Sequence, residues 1–132
     1  GNSWYANGGV AGHAGLFATG ADLRVLLDLL NNRGSYGGHQ YIRPSVVDAF
    51  LTVDRFQNYL GWMKPPNTPD GSYMHNGFTG TYVIGVPKAG LSIVLLTNKQ
   101  NVGANSRGYF SDVKPLDEGV TRVLVNAAMG RP

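Results

Sequence analysis

Three short stretches of the chain carry residue types that could take part in nucleophilic or hydrogen-bonding chemistry. The first is residues 75–81, His-Asn-Gly-Phe-Thr-Gly-Thr, which begin an irregular strand pattern. The second is residues 111–114, where a serine stands three positions before a lysine, and the third is residues 5–7, Tyr-Ala-Asn. A serine acts as a nucleophile only when a base lies within hydrogen-bond reach. The elements that place these stretches therefore decide what they can do.

The composition is that of one small globular domain of 132 residues, with 42% apolar and 14% charged side chains. The net charge is +3, but the lysines and arginines are scattered, so we expect no nucleic-acid partner. There is no cysteine, and His13, His39 and His75 lack metal-ligand spacing, so we expect no metal site. The longest apolar run, residues 91–96, has the length of a strand and not of a membrane span.

Three segments show helical periodicity. Thr19 and Asp22 have the spacing of a capping box, and a leucine face follows until residues 31–34 end the helix. A second, short helix begins at Pro44, which suits a first helical turn, and a third covers about residues 115–129. The residues predicted to face inward are Leu23, Leu26, Leu27 and Leu30, then Val46, Val47, Phe50 and Leu51, and finally Val120, Val123, Leu124 and Ala127.

Three segments between the second and third helices are predicted to be strands. They are residues 59–64, 74–86 and 91–98. In the first, Leu60 and Trp62 would share a face; the last is apolar almost throughout, which indicates a central strand covered on both faces. The predicted loops are residues 1–18, 65–72 and 100–111. The sequence thus predicts an α+β fold, with an antiparallel sheet of about three strands packed by a C-terminal helix, plus two N-terminal helices.

Two stretches taken together carry a resemblance to a known family. They are residues 9–19, a glycine-rich run that leads into the first helix, and residues 75–81 with the hairpin that ends at residues 95–99. The combination resembles the serine β-lactamase-like family, in its branch of class C β-lactamases, esterases and penicillin-binding proteins. The resemblance covers nearly the whole chain. It implies that residues 1–132 are the C-terminal part of a single domain with a partial β-lactamase/transpeptidase-like fold.

The family uses three sequence boxes: Ser-x-x-Lys, Tyr-x-Asn or a variant, and Lys-Thr-Gly or His-x-Gly. His75-Asn76-Gly77 matches the third box. The resemblance implies that His75 is catalytic, as a cation or hydrogen-bond donor beside the nucleophile. It also implies that the backbone N–H of Phe78 forms one arm of the oxyanion hole. Asn76, Gly77 and Thr79 would bind the substrate, although Asn76 replaces the commoner threonine and so puts recognition of a carboxylate by a hydroxyl in question.

The other two boxes have only literal matches in this chain. Residues 111–114 fit Ser-x-x-Lys, but Lys114 precedes Pro115, so serine and lysine would not share a helix face. The family's nucleophile box also precedes the third box, so we interpret residues 111–114 as a polar loop and helix cap. Residues 5–7 fit Tyr-x-Asn in the right order but adjoin the glycine-rich run, and a turn with a packed aromatic is the alternative. The chain is therefore expected to lack the nucleophile.

For the complete protein, the resemblance implies acyl transfer through a serine ester, without a cofactor. The substrate would be a peptidoglycan D-Ala-D-Ala peptide, a β-lactam or an ester, and the setting the periplasm or cell envelope of a bacterium. The first partner of this chain would be the missing N-terminal part of the same domain, without which we expect no activity. The alternatives are a non-catalytic cell-wall binding module, or an interaction domain that self-associates through an exposed sheet edge.

Overall fold

A computed structural model of the chain describes residues 2–54 and 59–131; for residues 2 and 3 it describes the backbone only. The elements in chain order are helix α1 Asn2–Ala6, helix α2 Gly20–Asn31, strands β1 Ser35–Tyr36 and β2 His39–Gln40, helix α3 Pro44–Phe50, strands β3 Tyr73–Asn76 and β4 Thr81–Val86, a short 3₁₀ turn Pro87–Ala89, strand β5 Leu91–Leu96 and helix α4 Lys114–Ala128. The fold is α+β, as predicted: the three strands of the main sheet follow one another between α3 and α4, and only the two-residue strands β1 and β2 lie between helices α2 and α3.

The main sheet is antiparallel and has the order β3-β4-β5. Tyr73 pairs with Gly85 across β3 and β4, and Ile84 pairs with Ile93 across β4 and β5. Because successive side chains alternate between faces, the sheet presents two apolar faces, one to α2 and one to α4. A separate small hairpin joins β1 and β2 directly after α2.

The α2 face is held by one apolar cluster and one polar network. The buried side chains of this cluster are Leu27, Tyr59 and Tyr73. Helix α2 begins at the predicted cap, since the Thr19 hydroxyl accepts from the N–H of Asp22 at 3.2 Å and the N–H of Thr19 donates to the Asp22 carboxylate at 3.0 Å. The hydroxyl of Tyr73 lies 3.0 Å from the carbonyl of Leu27, which fixes the helix against the sheet.

The polar network on this face continues from Asn31 at the end of α2. Its amide donates to the carbonyl of Leu91 at 3.1 Å and to the hydroxyl of Ser92 at 3.0 Å. Ser92 in turn donates to the carboxylate of Asp28 at 2.7 Å. These contacts join α2 to β5 as well as to β3, so the helix spans the sheet. Buried polar groups of this kind stabilise a fold because each has a partner.

The α4 face carries the larger apolar cluster. Its buried members are Tyr82, Ile84, Val86, Ile93 and Val125. The prediction for the inward face of the last helix is wrong in part: Val120 packs against this cluster, whereas Val123 and Leu124 are exposed and Ala127 faces solvent. The buried side chains of α4 are instead Asp117, Thr121 and Val125. The helix is rotated because its two polar residues pack inward, which an apolar pattern does not reveal.

The helix predictions are otherwise confirmed in position, with two exposed members of their predicted inward faces. Leu26 in α2 and Phe50 in α3 are 42% and 47% exposed. Residues 1–18 were predicted as a loop, but Asn2–Ala6 form the short helix α1, while residue 1 lies outside the described residues. The β1–β2 hairpin was not predicted, although Gly37 and Gly38 form the two-residue connection that favours a tight hairpin.

Two of the predicted strands are wrong in their bounds. Residues 59–64 are not a strand, because Gly61 has a positive φ of 72° and only Met63 pairs with β3, through Met74. Residues 74–86 form two strands, β3 and β4, because the chain reverses at Gly80, whose φ is 107°. The number of strands in the sheet is thus as predicted, but their boundaries are not.

The predicted central position of residues 91–98 is also wrong. The strand is Leu91–Leu96, and it pairs only with β4 in the described part of the chain, so β4 is the central strand. Its apolar run is explained by its two covered faces, since Ile93 packs toward α4 and Val94 toward α2. Hydrophobicity reports coverage of the faces of a strand and says nothing of its two edges.

Candidate active site

The third-box residues lie at the tip of the hairpin between β3 and β4. The N–H of Gly77 donates to the carbonyl of Thr81 at 2.7 Å, and the N–H of Gly80 donates to the carbonyl of Gly77 at 3.0 Å. These two bonds close a loop of three residues, Phe78, Thr79 and Gly80. The tip is therefore a defined turn and not part of a continuous strand.

Both glycines of the turn are required by their surroundings. A Cβ at Gly77 would overlap the hydroxyl of Thr81, and a Cβ at Gly80 would lie 2.6 Å from the hydroxyl oxygen of Thr97. Gly80 also has its positive φ, a conformation that other residues rarely adopt. The backbone of the turn therefore lies directly against the hydroxyl groups of Thr81 and Thr97, which leaves no room for a side chain at either glycine.

Two further hydrogen bonds fix the turn to the chain that follows β5. The hydroxyl of Thr97 donates to the carbonyl of Gly80 at 2.5 Å, and the N–H of Lys99 donates to the carbonyl of Thr79 at 2.9 Å. The turn is thus held by the two hydrogen bonds within the hairpin and by two more from Thr97 and Lys99. A loop held in this way keeps its backbone donors in one orientation, which is what an oxyanion-binding group needs.

His75 is exposed and lies next to an aromatic side chain. It shares the α2 face of the sheet with Tyr73, and its ring lies 6.4 Å from the ring of Trp62 at an angle of 81°. Trp62 also packs against Tyr73, at 4.9 Å between ring centroids. The rings of Tyr73, Trp62 and His75 are therefore in successive contact, from the buried Tyr73 to the solvent-exposed imidazole of His75.

Asn76 presents its main chain to the outer edge of the sheet. Met74 exchanges two hydrogen bonds of 2.9 Å with Met63 on the side of β3 that faces away from β4. Residues two apart in a strand point their N–H and C=O groups to the same side. The N–H and C=O of Asn76 therefore also point outward, where no described residue bonds them, and they could pair with an extended ligand.

Phe78 is 70% exposed, and its backbone N–H donates to no group among the described residues. Its ring contacts Phe110 edge-on, at 5.8 Å between centroids. The ammonium of Lys99 lies 5.4 Å from the centroid of the same ring, within the range of a cation–π interaction. The side chain of Phe78 is thus supported from two sides while its N–H remains available.

A buried carboxyl group lies beneath this region at the start of α4. Asp117 is only 6% exposed, and its Oδ1 has no hydrogen-bond partner within the described residues. Burial raises the pKa of this carboxyl, and so does the negative charge of Asp112, whereas the positive charge of Lys99 lowers it. Lys99 makes no ion pair with Asp117, so the two charges interact only at longer range.

The literal matches to the other two boxes are not brought into this arrangement. Lys114 is the first residue of α4, its N–H donates to Asp112 at 3.0 Å, and its ammonium lies 3.7 Å from Glu118. Ser111 lies in the loop before the helix, as predicted, but it does not cap the helix, whose N-cap is Val113 with no side-chain hydrogen bond. Tyr5 is 78% exposed and packs against Trp4 at 5.2 Å, with no ring contact or hydrogen bond to His75 in the described part of the chain.

Two residues near the site were not singled out from the sequence. They are Lys99 and Phe110, which reach Phe78 from the end of β5 and from the long loop before α4. The sequence held a signal for Lys99, because this single cation directly follows the predicted strand 91–98. That strand forms a hairpin with the segment that contains the third box, so its end is expected to lie near the box. Phe110 carried no such signal, since its approach depends on the path of a loop.

The described residues were also compared with the requirements of a metal site and of a membrane-spanning helix. No group of three or more histidine, aspartate or glutamate side chains there could hold a metal ion. His13 and His39 are both exposed, and His39 packs against Tyr41 at 5.9 Å. Among the same residues, no helix combines the length and the apolar character needed to cross a bilayer.

Comparison with known proteins identifies the family. The β-lactamase family model matches residues 1–111. An N-acetylmuramyl-L-alanine amidase of Bacillus subtilis is 34% identical, over 75% of this chain and 25% of the relative. A putative D-alanyl-D-alanine carboxypeptidase of Escherichia coli K12 is 36% identical over 74% and 25%, and one of Salmonella paratyphi B is 34% identical over the same shares.

The match extends over most of this chain but over a small part of each relative. The chain spans about a quarter of the length of the curated relatives that it matches. No solved structure matches it significantly. Because the family model covers well over half of the sequence and includes the hairpin described above, the chain belongs to the β-lactamase family.

Proposed function

We propose that this chain is the C-terminal part of a serine hydrolase domain that transfers acyl groups, and that it supplies the third box and one arm of the oxyanion hole. The observation that carries the proposal is the N–H of Phe78, which donates to no described residue and lies in a turn that two backbone hydrogen bonds close and two glycines permit. Such a donor stabilises the negative charge that develops on a carbonyl oxygen in the transition state. The second arm would be the N–H of the nucleophile itself.

The proposed roles of the neighbouring residues follow from their positions. His75, exposed beside Trp62, would donate a hydrogen bond or positive charge beside the nucleophile. Asn76 would pair its outward N–H and C=O with an extended substrate, in the manner of an added strand. Gly77 and Thr79 would let the substrate approach the backbone of the turn closely.

The proposed substrate is a peptidoglycan peptide that ends in D-alanyl-D-alanine. The support comes from the names of the relatives, a D-alanyl-D-alanine carboxypeptidase and an N-acetylmuramyl-L-alanine amidase. A β-lactam or a small ester would use the same chemistry. A place in the cell envelope follows from such a substrate and is part of the proposal.

The serine and lysine of the first box would come from outside these 132 residues. Their absence is proposed because Ser111 and Lys114 do not share a helix face and lie after the third box. This predicts that the chain alone forms no acyl-enzyme. It also predicts that the complete domain, extended upstream toward the length of the relatives, is acylated.

The test is intact mass after incubation with benzylpenicillin and, separately, with a fluorophosphonate. We expect no adduct on the chain alone and one adduct on the upstream-extended protein. In the extended protein, His75→Ala should slow acylation at least tenfold, whereas Lys88→Ala, on the far turn, should leave it unchanged. An adduct on Ser111 of the chain alone would overturn the missing nucleophile, and an extended protein that is never acylated would overturn the serine hydrolase.

A second candidate function is an interaction domain that pairs with itself. The observation that favours it is strand β5, which pairs with no strand other than β4 in the described residues and so leaves one edge free of a partner strand. Open edges favour pairing with another strand. Light scattering after size-exclusion chromatography tests this, since a dimer that dissociates on dilution would support pairing. A monomer at every concentration would exclude it.

A further inference from the structure

We propose that Lys99 is a specificity-determining residue that binds the terminal carboxylate of the substrate beside Phe78. This proposal rests on the proposed function of the hairpin and assigns to it a residue outside the three sequence boxes. It concerns recognition of the substrate and not the chemical step. Its support comes from the backbone anchor, the ring contact and the charge balance of Lys99.

The backbone of Lys99 is fixed to the turn that carries the oxyanion donor. Its N–H donates to the carbonyl of Thr79 at 2.9 Å, one residue along from Phe78. The preceding Thr97 bonds to Gly80 of the same turn. The backbone of Lys99 is therefore held beside the backbone of Phe78, which places its side chain within reach of a ligand bound at that N–H.

The side chain of Lys99 is directed onto the exposed aromatic pair at the tip. Its ammonium lies 5.4 Å from the centre of the Phe78 ring, which also makes an edge-on contact with Phe110. The apolar rings reduce the access of water, and the lysine is itself half-buried. A charge with fewer waters around it interacts more strongly with an incoming anion than one in open solvent.

The positive charge of Lys99 is not neutralised by an ion pair in the described part of the chain. Four other basic side chains there do form ion pairs, namely Arg24, Arg33, Lys64 and Lys114. The buried Asp117 lies near enough to be influenced by Lys99 but not near enough to pair with it. The ammonium therefore retains its full capacity to donate to an anionic ligand.

The chemistry of the third box favours a carboxylate as that ligand. Asn76 offers no hydroxyl, and its side chain lies on the α4 face, opposite to His75. A cation at the tip replaces such a donor with a stronger, charge-assisted one. The proposed substrate ends in a free carboxylate, which is the group that a lone ammonium selects.

The test compares two ligands that differ only in this group, N-acetyl-D-alanyl-D-alanine and its C-terminal amide. Binding to the chain is followed by backbone amide NMR titration. We expect the wild type to bind the acid about tenfold more tightly than the amide, the factor that one charge-assisted hydrogen bond supplies. Lys99→Met should abolish this preference while changing affinity for the amide less than twofold. Lys99→Arg should retain it, because the charge remains.

The matched control is Lys88→Met, which removes an exposed lysine at the far end of the β4–β5 hairpin. It should keep the full preference for the acid. A preference that survives in Lys99→Met, or a wild type that binds acid and amide equally, overturns the role of Lys99 and leaves the proposed function standing. A wild-type chain that binds neither ligand also overturns the role of Lys99, while acylation of the upstream-extended protein tests the proposed function separately. If Lys99→Met fails to fold, the acid-to-amide ratio of Lys99→Gln decides in the same way.

Discussion

Tyr73 and Gly85 stand opposite each other across β3 and β4, and the Tyr73 ring fills the space that a side chain on residue 85 would need. The ring passes over β4 because no Cβ obstructs it. Its hydroxyl thereby reaches the carbonyl of Leu27 on α2 at 3.0 Å. The contact between the helix and the sheet, and hence the position of the β3 strand that ends in His75, depends on this glycine.

Gly85→Ala should destabilise the fold by about 1–3 kcal/mol, the usual cost of overpacking a core. The added methyl would overlap the buried ring of Tyr73. Gly119→Ala is the matched control, since Gly119 lies within α4 with no atom near its Cβ position, and there alanine should stabilise by about 0.5–1 kcal/mol. Urea denaturation of both variants measures the difference. Equal effects in the two variants would contradict the proposed overlap.

Tyr73 should make the fold sensitive to alkaline pH. Burial raises the pKa of its hydroxyl above the ordinary value of 10.0, and the charge of Asp28 raises it further. A group with a raised pKa in the folded state contributes its full stability below pH 10.0, and this is lost as the pH rises toward the folded value. Unfolding free energy should therefore fall above pH 10.0 less steeply in Tyr73→Phe than in the wild type. Identical slopes would contradict the assignment to Tyr73.

The elements that local chemistry determines were predictable from the sequence. Thr19 and Asp22 begin α2 as a capping box, and Pro44 begins α3 in its first turn. Each of these signals depends only on residues within four positions along the chain, so it can be recognised from the sequence without knowledge of the fold. The third-box assignment stays a prediction, and it rests on a pattern of the same local kind, the consecutive residues His75, Asn76 and Gly77.

The features that depend on distant contacts could not be predicted in this way. The pairing of Tyr73 with Gly85 requires the register of two strands, and the approach of Phe110 to Phe78 requires the path of a loop. The inward rotation of α4 depends on Thr121, whose hydroxyl lies 3.2 Å from that of Tyr82. A polar residue with a buried partner looks the same in the sequence as one that faces water.

Removing the cap of α2 should destabilise the fold and change the titration of Asp22. Hydrogen bonds from Thr19 hold the pKa of Asp22 below its usual range, which favours the folded state above that range and is lost as the pH falls. In Thr19→Ala the pKa of Asp22 should rise, and Tm should fall by about 3–5 °C. Thr19→Ser keeps the hydroxyl and should retain both values. A carboxyl titration by NMR with no upward shift in Thr19→Ala would contradict the capping box.

Asp117 should oppose folding at neutral pH. Burial, followed by the charge of Asp112, raises the pKa of Asp117 above the ordinary 3.8, so the stability it contributes is full below pH 3.8 and falls as the pH rises through the folded value. Lys99 and Glu118 also face this carboxyl, with opposite effects. We expect Asp117→Asn to be more stable than the wild type at pH 7, with the advantage shrinking toward acid pH. Glu118→Gln, on the exposed side, should show a much smaller pH-dependent difference, and a wild type that stays the more stable at pH 7 would contradict the prediction.

The hydroxyl of Thr97 should hold the proposed oxyanion donor in place. It donates to the carbonyl of Gly80 at 2.5 Å, and valine has nearly the same shape without this hydrogen bond. Thr97→Val should cost about 1 kcal/mol of global stability but accelerate amide hydrogen exchange of the hydrogen-bonded N–H groups of Gly80 and Lys99 by much more than that cost implies. Thr52→Val is the control, since the Thr52 hydroxyl donates to the carbonyl of Asp48 at the end of α3 in a similar bond of 2.6 Å. If both variants leave exchange at Gly80 and Lys99 equally slow, the turn is held by its own two bonds, and Thr97 has no part in presenting the N–H of Phe78.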